Sequence, residues 1–217
     1  MAGTSQARTS MINSQLRPNR MNDEAIIHAM ESIKREEFVP KVMRGVAYCD
    51  DNIEVSKGRY LMEPMIFAKL LGAAEIKKSD LVLDIGCATG YSSAVLAGLA
   101  DAVVALEEDA KLAAKAEEIL AEQDIVNVAV VKGKHTEGVA KQGPYDVIFI
   151  GGAVADVPDK ITAQLKEGGR LICVKLENSV RRGHLITKSG GALVVKRLFD
   201  ANVPVLEGFA AKETFVF

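Results

Sequence analysis

VLDIGCATGY, residues 82–91, is a short apolar run that passes through an aspartate into a turn rich in small residues. The apolar residues predict a buried strand that ends near Asp84, and the residues after the turn predict the start of a helix. Gly86 allows the chain to turn sharply, while Ala88 and Gly90 keep the backbone bare so that a ligand can approach it. We therefore predict a strand–turn–helix unit with a ligand site at the turn.

Four similar apolar runs follow the run at 81–83 that opens this unit. They are residues 103–106, 128–131, 147–150 and 171–174. Near-continuous apolar runs are typical of parallel strands covered on both faces, and residues 109–122 have the period of an amphipathic helix. Two further runs, 185–188 and 193–199, flank Ser189-Gly190-Gly191 and predict an antiparallel hairpin. The sequence thus predicts an α/β fold with a doubly wound, mostly parallel sheet and a C-terminal antiparallel hairpin.

The residues before this α/β region follow a different pattern. Apolar residues recur with helical spacing over 23–33 and 63–74. The first ten residues are polar, which favours a disordered tail. We therefore divide the chain into three parts: the tail over residues 1–10, an N-terminal helical cap over 11–74, and a ligand-binding domain over 75–217.

The composition argues against several classes of protein. The 217 residues include 27 Lys and Arg against 29 Asp and Glu, a net charge of −2, which argues against a protein built to grip nucleic acid. There is no apolar run of about 18 residues, the length that a membrane helix needs. Cys49, Cys87 and Cys173 lie far apart in the sequence. We therefore expect no zinc site and a reducing compartment, by default the cytoplasm.

The turn is a candidate nucleotide site, and its spacing narrows the choice of ligand. A nicotinamide-binding turn reads Gly-x-Gly-x-x-Gly, but its second and third glycines are replaced here by Ala88 and Tyr91. This argues against a dinucleotide. The next strand ends at Glu107, 17 residues after Gly90, where a carboxylate can accept hydrogen bonds from both ribose hydroxyls. Alternatively, Glu107 and its acidic neighbours only cap the helix that follows.

The pattern Asp-x-Gly-x-Ala-x-Gly at 84–90 is similar to the first motif of class I methyltransferases that bind S-adenosylmethionine. Nearly the whole chain resembles the protein-L-isoaspartate O-methyltransferase family. The stretches that carry this resemblance are 15–17, 35–40, 47–50, 82–97, 143–146, 164–170 and 203–206. Members of the family transfer a methyl group from S-adenosylmethionine to the carboxylate of isoaspartyl residues in damaged proteins.

The resemblance implies a set of site residues. For the cofactor S-adenosylmethionine they are Asp84, Gly86, Cys87, Ala88, Gly90, Tyr91, Glu107, Gly133, Lys134 and Asp146. For the methyl acceptor they are Tyr60, Leu61 and Met62, in a loop of the cap. The implied substrate is an isoaspartyl peptide or protein, without nucleic acid, membrane or metal. Because a carboxylate is already ionised at neutral pH, the reaction needs alignment rather than a general base. We therefore expect His28, His135 and His184 to be surface or packing residues.

Two departures from the family pattern affect ligand contacts. Tyr60-Leu61-Met62 stands where the family has Thr-Ile-Ser, and a Met side chain cannot donate the hydrogen bond of that serine. Gly133-Lys134-His135 stands where the family usually has Gly-Asp-Gly, and Lys134 cannot accept from the adenine amino group. These departures leave two alternatives open: a methyltransferase with a different acceptor, or a non-catalytic protein that binds the cofactor or a partner.

Overall fold

A computed structural model describes residues 2–210 of the chain. Its strands are β1 (Ile53–Ser56), β2 (Arg59–Leu61), β3 (Leu81–Ile85), β4 (Ala102–Glu107), β5 (Val128–Lys132), β6 (Tyr145–Val154), β7 (Leu165–Glu177), β8 (Val180–Ser189) and β9 (Ala192–Asp200). Strands β1 and β2 form a small antiparallel hairpin, and the other seven strands in the described residues form one sheet in the order β5-β4-β3-β6-β7-β8-β9. Strands β3 to β7 are parallel, whereas β8 and β9 are antiparallel. The predicted fold class is confirmed.

The parallel register brings three strand ends to one edge of the sheet. Ile85 at the end of β3 lies beside Leu106 of β4 and Ile150 of β6. The chain continues from β3 to β4 on one side, and β6 is added on the other side, so β3 marks the point where the strand order reverses. Open α/β sheets bind ligands at the strand ends beside such a point. The turn that begins at Gly86 lies there.

The helices are α1 (Ala2–Met11), α2 (Glu24–Ser32), α3 (Pro64–Ala74), α4 (Tyr91–Ala97), α5 (Ala110–Glu122) and α6 (Asp159–Thr162). Pro64 suits the first position of α3 because its missing N–H would have no helical partner there. Asp109 caps α5 by accepting hydrogen bonds from the backbone N–H groups of Lys111 and Leu112. The predicted helices over 63–74 and 109–122 are thus confirmed. Within residues 2–210, no helix is long and apolar enough to cross a membrane.

The structure corrects the expectation of a disordered tail over residues 1–10 for its residues 2–10, and residue 1 lies outside the described residues. Residues Ala2–Met11 form α1, and a π-helical turn over Ile12–Leu16 continues it. Met11 and Leu16 are buried in the main hydrophobic core, so the apolar end of this segment anchors the polar residues that precede it. The polar composition of these residues does not predict the helix, because most helical stability comes from tertiary packing rather than from local propensity.

The cap packs directly on the sheet. The ring of Phe67 on α3 lies 5.4 Å from the ring of Phe149 on β6 and 6.0 Å from that of Tyr91 on α4, measured between centroids. Phe38 of the cap lies 5.7 Å from Tyr91. These side chains belong to one hydrophobic core cluster that draws residues from the cap and the sheet. The division of the chain between residues 74 and 75 stays a prediction from sequence.

We expect Phe67→Ala to lower the free energy of unfolding by about 3–5 kcal/mol, the usual effect of deleting a buried phenyl ring. Phe67 is 1% exposed, and its ring contacts aromatic rings of the sheet and of α4. Urea denaturation followed by circular dichroism measures the change. Val126→Ala is the control, because Val126 is 93% exposed and its substitution should change stability by less than about 0.5 kcal/mol. Similar small effects from both variants would contradict the shared core.

Candidate active site

The turn after β3 has a backbone conformation that favours glycine. Gly86 and Gly90 have φ angles of 79° and 94°, and Ala88 has a φ of 51°, all in the left-handed region. The backbone N of Gly86 donates to the backbone O of Leu106 at 2.8 Å, which ties the turn to the end of β4. A Cβ atom at Gly86 would lie 2.8 Å from Cδ2 of Leu206. Position 86 therefore requires glycine both for its φ angle and for the close approach of this side chain.

Asp84 lies near the end of β3 and is fully buried. The hydroxyls of Ser92 and Ser93 on α4 donate to its Oδ2 atom at 2.7 and 2.5 Å. Its Oδ1 atom has no hydrogen-bond partner within the described part of the chain. Burial raises the pKa of Asp84 to about 6, although the two serine hydroxyls act to lower it. The carboxyl group therefore has an acceptor oxygen available for a donor group of a ligand.

Glu107 ends β4, and its carboxylate is completely buried. Two backbone N–H groups of the segment that follows donate to Oε1 at 2.9 and 3.0 Å, and the backbone N of Ala88 donates to Oε2 at 2.8 Å. Burial alone would raise the pKa of Glu107, but contacts with His135 and Arg59 outweigh this effect and lower the pKa to about 2. Because Asp109 caps α5, the alternative in which Glu107 only caps that helix is wrong.

Arg59 on β2 supplies a charged partner that sequence reasoning misses. Its guanidinium donates to Glu107 through two parallel contacts, Nη1 to Oε1 at 2.9 Å and Nη2 to Oε2 at 2.7 Å, and its side chain is 5% exposed. His135 is buried beside this pair, with Nε2 3.1 Å from the backbone N of Glu108 and 3.4 Å from Nη1 of Arg59. His135 is thus part of the site. The sequence offers one way to identify these two residues, which is that each is next to a predicted site residue. Arg59 directly precedes the acceptor triplet, and His135 directly follows Lys134.

The predicted acceptor triplet lies beside the turn after β3. Leu61 and Met62 are buried, and Tyr60 is half-buried. These three residues line a cavity of about 20 Å³ together with Phe67, Gly86, Cys87, Tyr91, Ser92, Phe149 and Gly151. The structure therefore brings the triplet and the predicted cofactor turn together on the walls of one cavity.

Arg35 fixes the position of the triplet relative to the turn. Its Nη2 atom donates to the backbone O of Met62 at 2.8 Å, and its Nε atom donates to the backbone O of Ala47 at 2.7 Å. The guanidinium carbon lies 4.6 Å from the centroid of the Tyr91 ring, at the start of α4. Because Arg35 is fully buried, these contacts tie the backbone of Met62, at the end of the triplet, to the first residue of α4.

Asp146 does not belong to this site. It lies near the start of β6, where its Oδ2 atom accepts from the backbone N of Leu81 at 2.8 Å and from Nζ of Lys166 at 2.6 Å. Leu81 is the first residue of β3, so Asp146 lies at the opposite edge of the sheet from Gly86. The prediction that Asp146 borders the cofactor site is therefore wrong, because parallel strands begin at one edge of a sheet and end at the other.

Three further predicted cofactor residues, Gly133, Lys134 and Cys87, differ in their burial and contacts. The backbone N of Gly133 donates to the backbone O of Glu107 at 3.0 Å, whereas Lys134 is exposed. Cys87 is buried, and burial raises the pKa of its thiol well above the usual value, which disfavours a nucleophilic role.

Between residues 2 and 210, no group of three or more His, Cys, Asp or Glu side chains is placed to hold a metal ion.

The segment after β9 covers the edge of the site. The backbone N of Ala153 donates to the backbone O of Pro204, and the backbone N of Leu206 donates to the backbone O of Ala153, both at 2.8 Å. A Cβ atom at Gly152 would lie 2.8 Å from Cβ of Leu206. Leu206 therefore packs against the bare backbone of both Gly86 and Gly152, a closure that sequence reasoning does not predict.

We expect Asp84 to make the stability of the chain depend on pH. Its pKa is about 6 in the folded chain, whereas an Asp in an unfolded chain has a pKa of about 3.9. Between these values the folded chain holds an extra proton. The free energy of unfolding should therefore fall as the pH rises through this range, by about 2–3 kcal/mol relative to Asp84→Asn. Denaturant titrations of both proteins measure the difference, and a difference that stays constant with pH would contradict the prediction.

Comparison with known proteins identifies the family. The family described as Protein-L-isoaspartate(D-aspartate) O-methyltransferase (PCMT) matches residues 6–207. The protein-L-isoaspartate O-methyltransferase of Koribacter versatilis is 36% identical over 207 residues, which cover 95% of this chain and 93% of that protein. The protein of the same name from Bradyrhizobium sp. (strain ORS 278) is 33% identical over 212 residues, which cover 97% of this chain and 99% of that protein.

Solved structures agree with this match. A structure named protein-L-isoaspartate O-methyltransferase has a TM-score of 0.81 and 28% identity, and the match covers 93% of this chain and 66% of that one. A Plasmodium falciparum beta-aspartate methyltransferase, solved in complex with S-adenosyl-L-homocysteine, has a TM-score of 0.81 and 21% identity, with 92% and 98% of the two chains covered. The second match shows the fold alone. The chain, with its Rossmann-like sheet and its matching sequence over residues 6–207, belongs to the protein-L-isoaspartate(D-aspartate) O-methyltransferase family.

Proposed function

We propose that this chain transfers the methyl group of S-adenosylmethionine to the carboxylate of isoaspartyl residues in peptides and proteins. One observation carries the proposal: the acceptor triplet, residues 60–62, and the turn that begins at Gly86 line the same cavity. Donor and acceptor residues therefore lie close enough for direct transfer between two bound groups. Membership of the family supports the same reaction.

The residues around the turn fit S-adenosylmethionine at three points. The unpartnered Oδ1 atom of Asp84 would accept from the ammonium group of its methionine part. The bare backbone at Gly86 allows close approach of a ligand. Glu107 has the strand-end position of a ribose-binding acid, although Arg59 holds its carboxylate here. When bound, this cofactor supplies a methyl group on a positively charged sulfur, which makes the methyl carbon electrophilic.

The chain's own residues have two tasks in the proposed reaction. The first is alignment, because Arg35 holds Met62 by its backbone oxygen and so keeps the acceptor segment in register with the turn. The second is exclusion of water, because Leu61, Phe67 and Phe149 supply an apolar wall to the cavity. A carboxylate that loses part of its hydration shell there is a stronger nucleophile. No side chain has to remove a proton, since the acceptor is ionised at neutral pH.

The composition of the triplet favours a second candidate function. Tyr60 carries the one side-chain hydroxyl of the triplet, and Met62 cannot donate a hydrogen bond. A site with fewer donors binds a carboxylate less strongly. The second candidate is therefore a methyltransferase of the same family with a different acceptor, such as an amine.

We also propose the partners and the compartment of the chain. Peptides and proteins with isoaspartyl residues are the proposed partners, rather than nucleic acid or membranes, and the net charge of −2 supports this choice. The proposed compartment is the cytoplasm. Cys49, Cys87 and Cys173 are free thiols, which is typical of proteins in a reducing compartment.

Methyl transfer from radiolabelled S-adenosylmethionine to a matched pair of peptides tests the proposed function. One peptide carries an isoaspartyl residue, and the other carries a normal Asp at the same position. We expect base-labile label in the isoaspartyl peptide alone, because the carboxylate of that linkage is the proposed acceptor. Label in other acceptors of a cell lysate, with both peptides inert, would instead establish the second candidate function.

We expect Met62→Ser to raise kcat/KM for the isoaspartyl peptide by about 10- to 150-fold, since a hydrogen bond to a charged group contributes about 1.5–3 kcal/mol. Met62 lines the cavity, so a hydroxyl introduced there lies at the proposed acceptor site. Met62→Leu is the matched control, because it removes the sulfur without adding a donor. Steady-state methylation assays compare the three proteins. An equal gain in both variants would show that a donor at position 62 is not what limits the reaction.

A further inference from the structure

We propose that Arg59 competes with the cofactor for Glu107, so that the cofactor binds only when Arg59 leaves, and that this departure moves the acceptor triplet beside it. The identity of the cofactor in this inference rests on the proposed function. The observation behind it is the pair of parallel contacts that joins the β1–β2 hairpin to the buried carboxylate. Arg59 is thus a positioning residue that sets cofactor affinity and couples it to the acceptor site.

The carboxylate of Glu107 has no free capacity to accept hydrogen bonds. Five N–H groups donate to it, three from the backbone and two from the guanidinium of Arg59. A carboxylate offers about four lone-pair positions, so ribose hydroxyls have to displace a donor. The backbone donors belong to the strand end and to the turn that form the site. The side chain of Arg59 is therefore the donor that is able to leave.

The guanidinium also fills space that a nucleoside would need. A Cβ atom at Gly86 would lie 3.4 Å from Nη2 of Arg59, so the guanidinium rests against the bare backbone of the turn. The cavity that Arg59 itself lines, together with Tyr60, Gly152 and Leu206, has a volume of about 10 Å³, whereas pockets for small-molecule ligands have volumes of roughly 300–1,000 Å³. Binding of a cofactor of this size therefore requires the guanidinium to move.

Movement of Arg59 is transmitted to the acceptor triplet through β2. Arg59 and Leu61 lie on this three-residue strand, and Arg59 pairs with Ser56 of β1. The turn of the hairpin contains Gly58, where an added Cβ atom would meet nothing within 4 Å, so the hairpin tip has open space around it. The tip is able to absorb a displacement of the Arg59 backbone, and Tyr60 at the start of the triplet moves with it, whereas Arg35 holds the backbone of Met62 at the other end.

If the ion pair between Arg59 and Glu107 were purely structural, removal of Arg59 would weaken cofactor binding instead of tightening it. Loss of a structural partner leaves a buried carboxylate unpaired and weakens the site. Loss of a competitor instead raises the fraction of molecules that are ready to bind, and the apparent dissociation constant falls in proportion. Minor conformations typically have populations of about 0.1–10%. Removal of the competition should therefore tighten binding by at least about tenfold.

Isothermal titration calorimetry with S-adenosylhomocysteine compares the two explanations. We expect Arg59→Gln to bind at least about tenfold more tightly than the wild-type chain. Arg59→Lys should fall between them, because an ammonium group cannot make two parallel contacts with a carboxylate. Arg170→Gln is the matched control, since Arg170 also forms a short ion pair, with Asp80 at 2.5 Å near the start of β3, and this pair is partly buried. It should lower stability without tightening the binding.

Amide hydrogen exchange over residues 57–62 provides a second measurement that does not depend on activity. S-adenosylhomocysteine should speed exchange in this stretch of the wild-type chain, and Arg59→Gln should show the faster exchange without ligand. Unchanged or weaker binding by both Arg59 variants would overturn the competition and leave the proposed function intact. Binding by none of the proteins would overturn both. Tighter binding by Arg59→Gln, with both peptides inert in the methylation assay, would support the competition and contradict the isoaspartyl acceptor.

Discussion

The carboxylate of Glu107 is the group on which the geometry of the site depends. It accepts hydrogen bonds from the turn after β3 through Ala88, from the segment after β4, and from Arg59 on the β1–β2 hairpin. Three segments that are distant in sequence thus meet on one buried anion. A buried carboxylate without these donors would be strongly unfavourable, so the position of each segment depends on the presence of the others.

Two buried arginines have different roles around this anion. Arg35 donates to backbone oxygens of the cap and stacks on the ring of Tyr91, whereas Arg59 donates to a carboxylate. The partners of Arg35 are backbone groups of the folded framework. The partner of Arg59 is the side chain that we propose as a cofactor contact. The same planar donor group therefore stabilises the acceptor segment in one place and occupies the proposed ligand contact in the other.

The parts of the fold that sequence predicts are those that local pattern decides. The strand that ends near Asp84, the strand that ends at Glu107 and the helix that follows it all have a clear hydrophobic period and are found as predicted. The assignment of Asp146 fails because Asp146 directly precedes the apolar run 147–150 and so lies at the start of its strand, whereas the ligand turn follows the ends of the strands. The helix Ala2–Met11 is missed because its stability comes from the packing of the residues at its end.

Local sequence is enough to predict the α/β fold, the glycine turn and the two strand-end carboxylates, because hydrophobic period and residue spacing are properties of neighbouring residues. The folded chain was needed to show that Arg59, 48 positions before Glu107, binds that carboxylate, that His135 lies beside the pair, and that Leu206 packs on Gly86 and Gly152. Such contacts depend on how β2, β4 and the C-terminal segment are placed relative to one another. That placement follows from packing of the whole core, which no local pattern records.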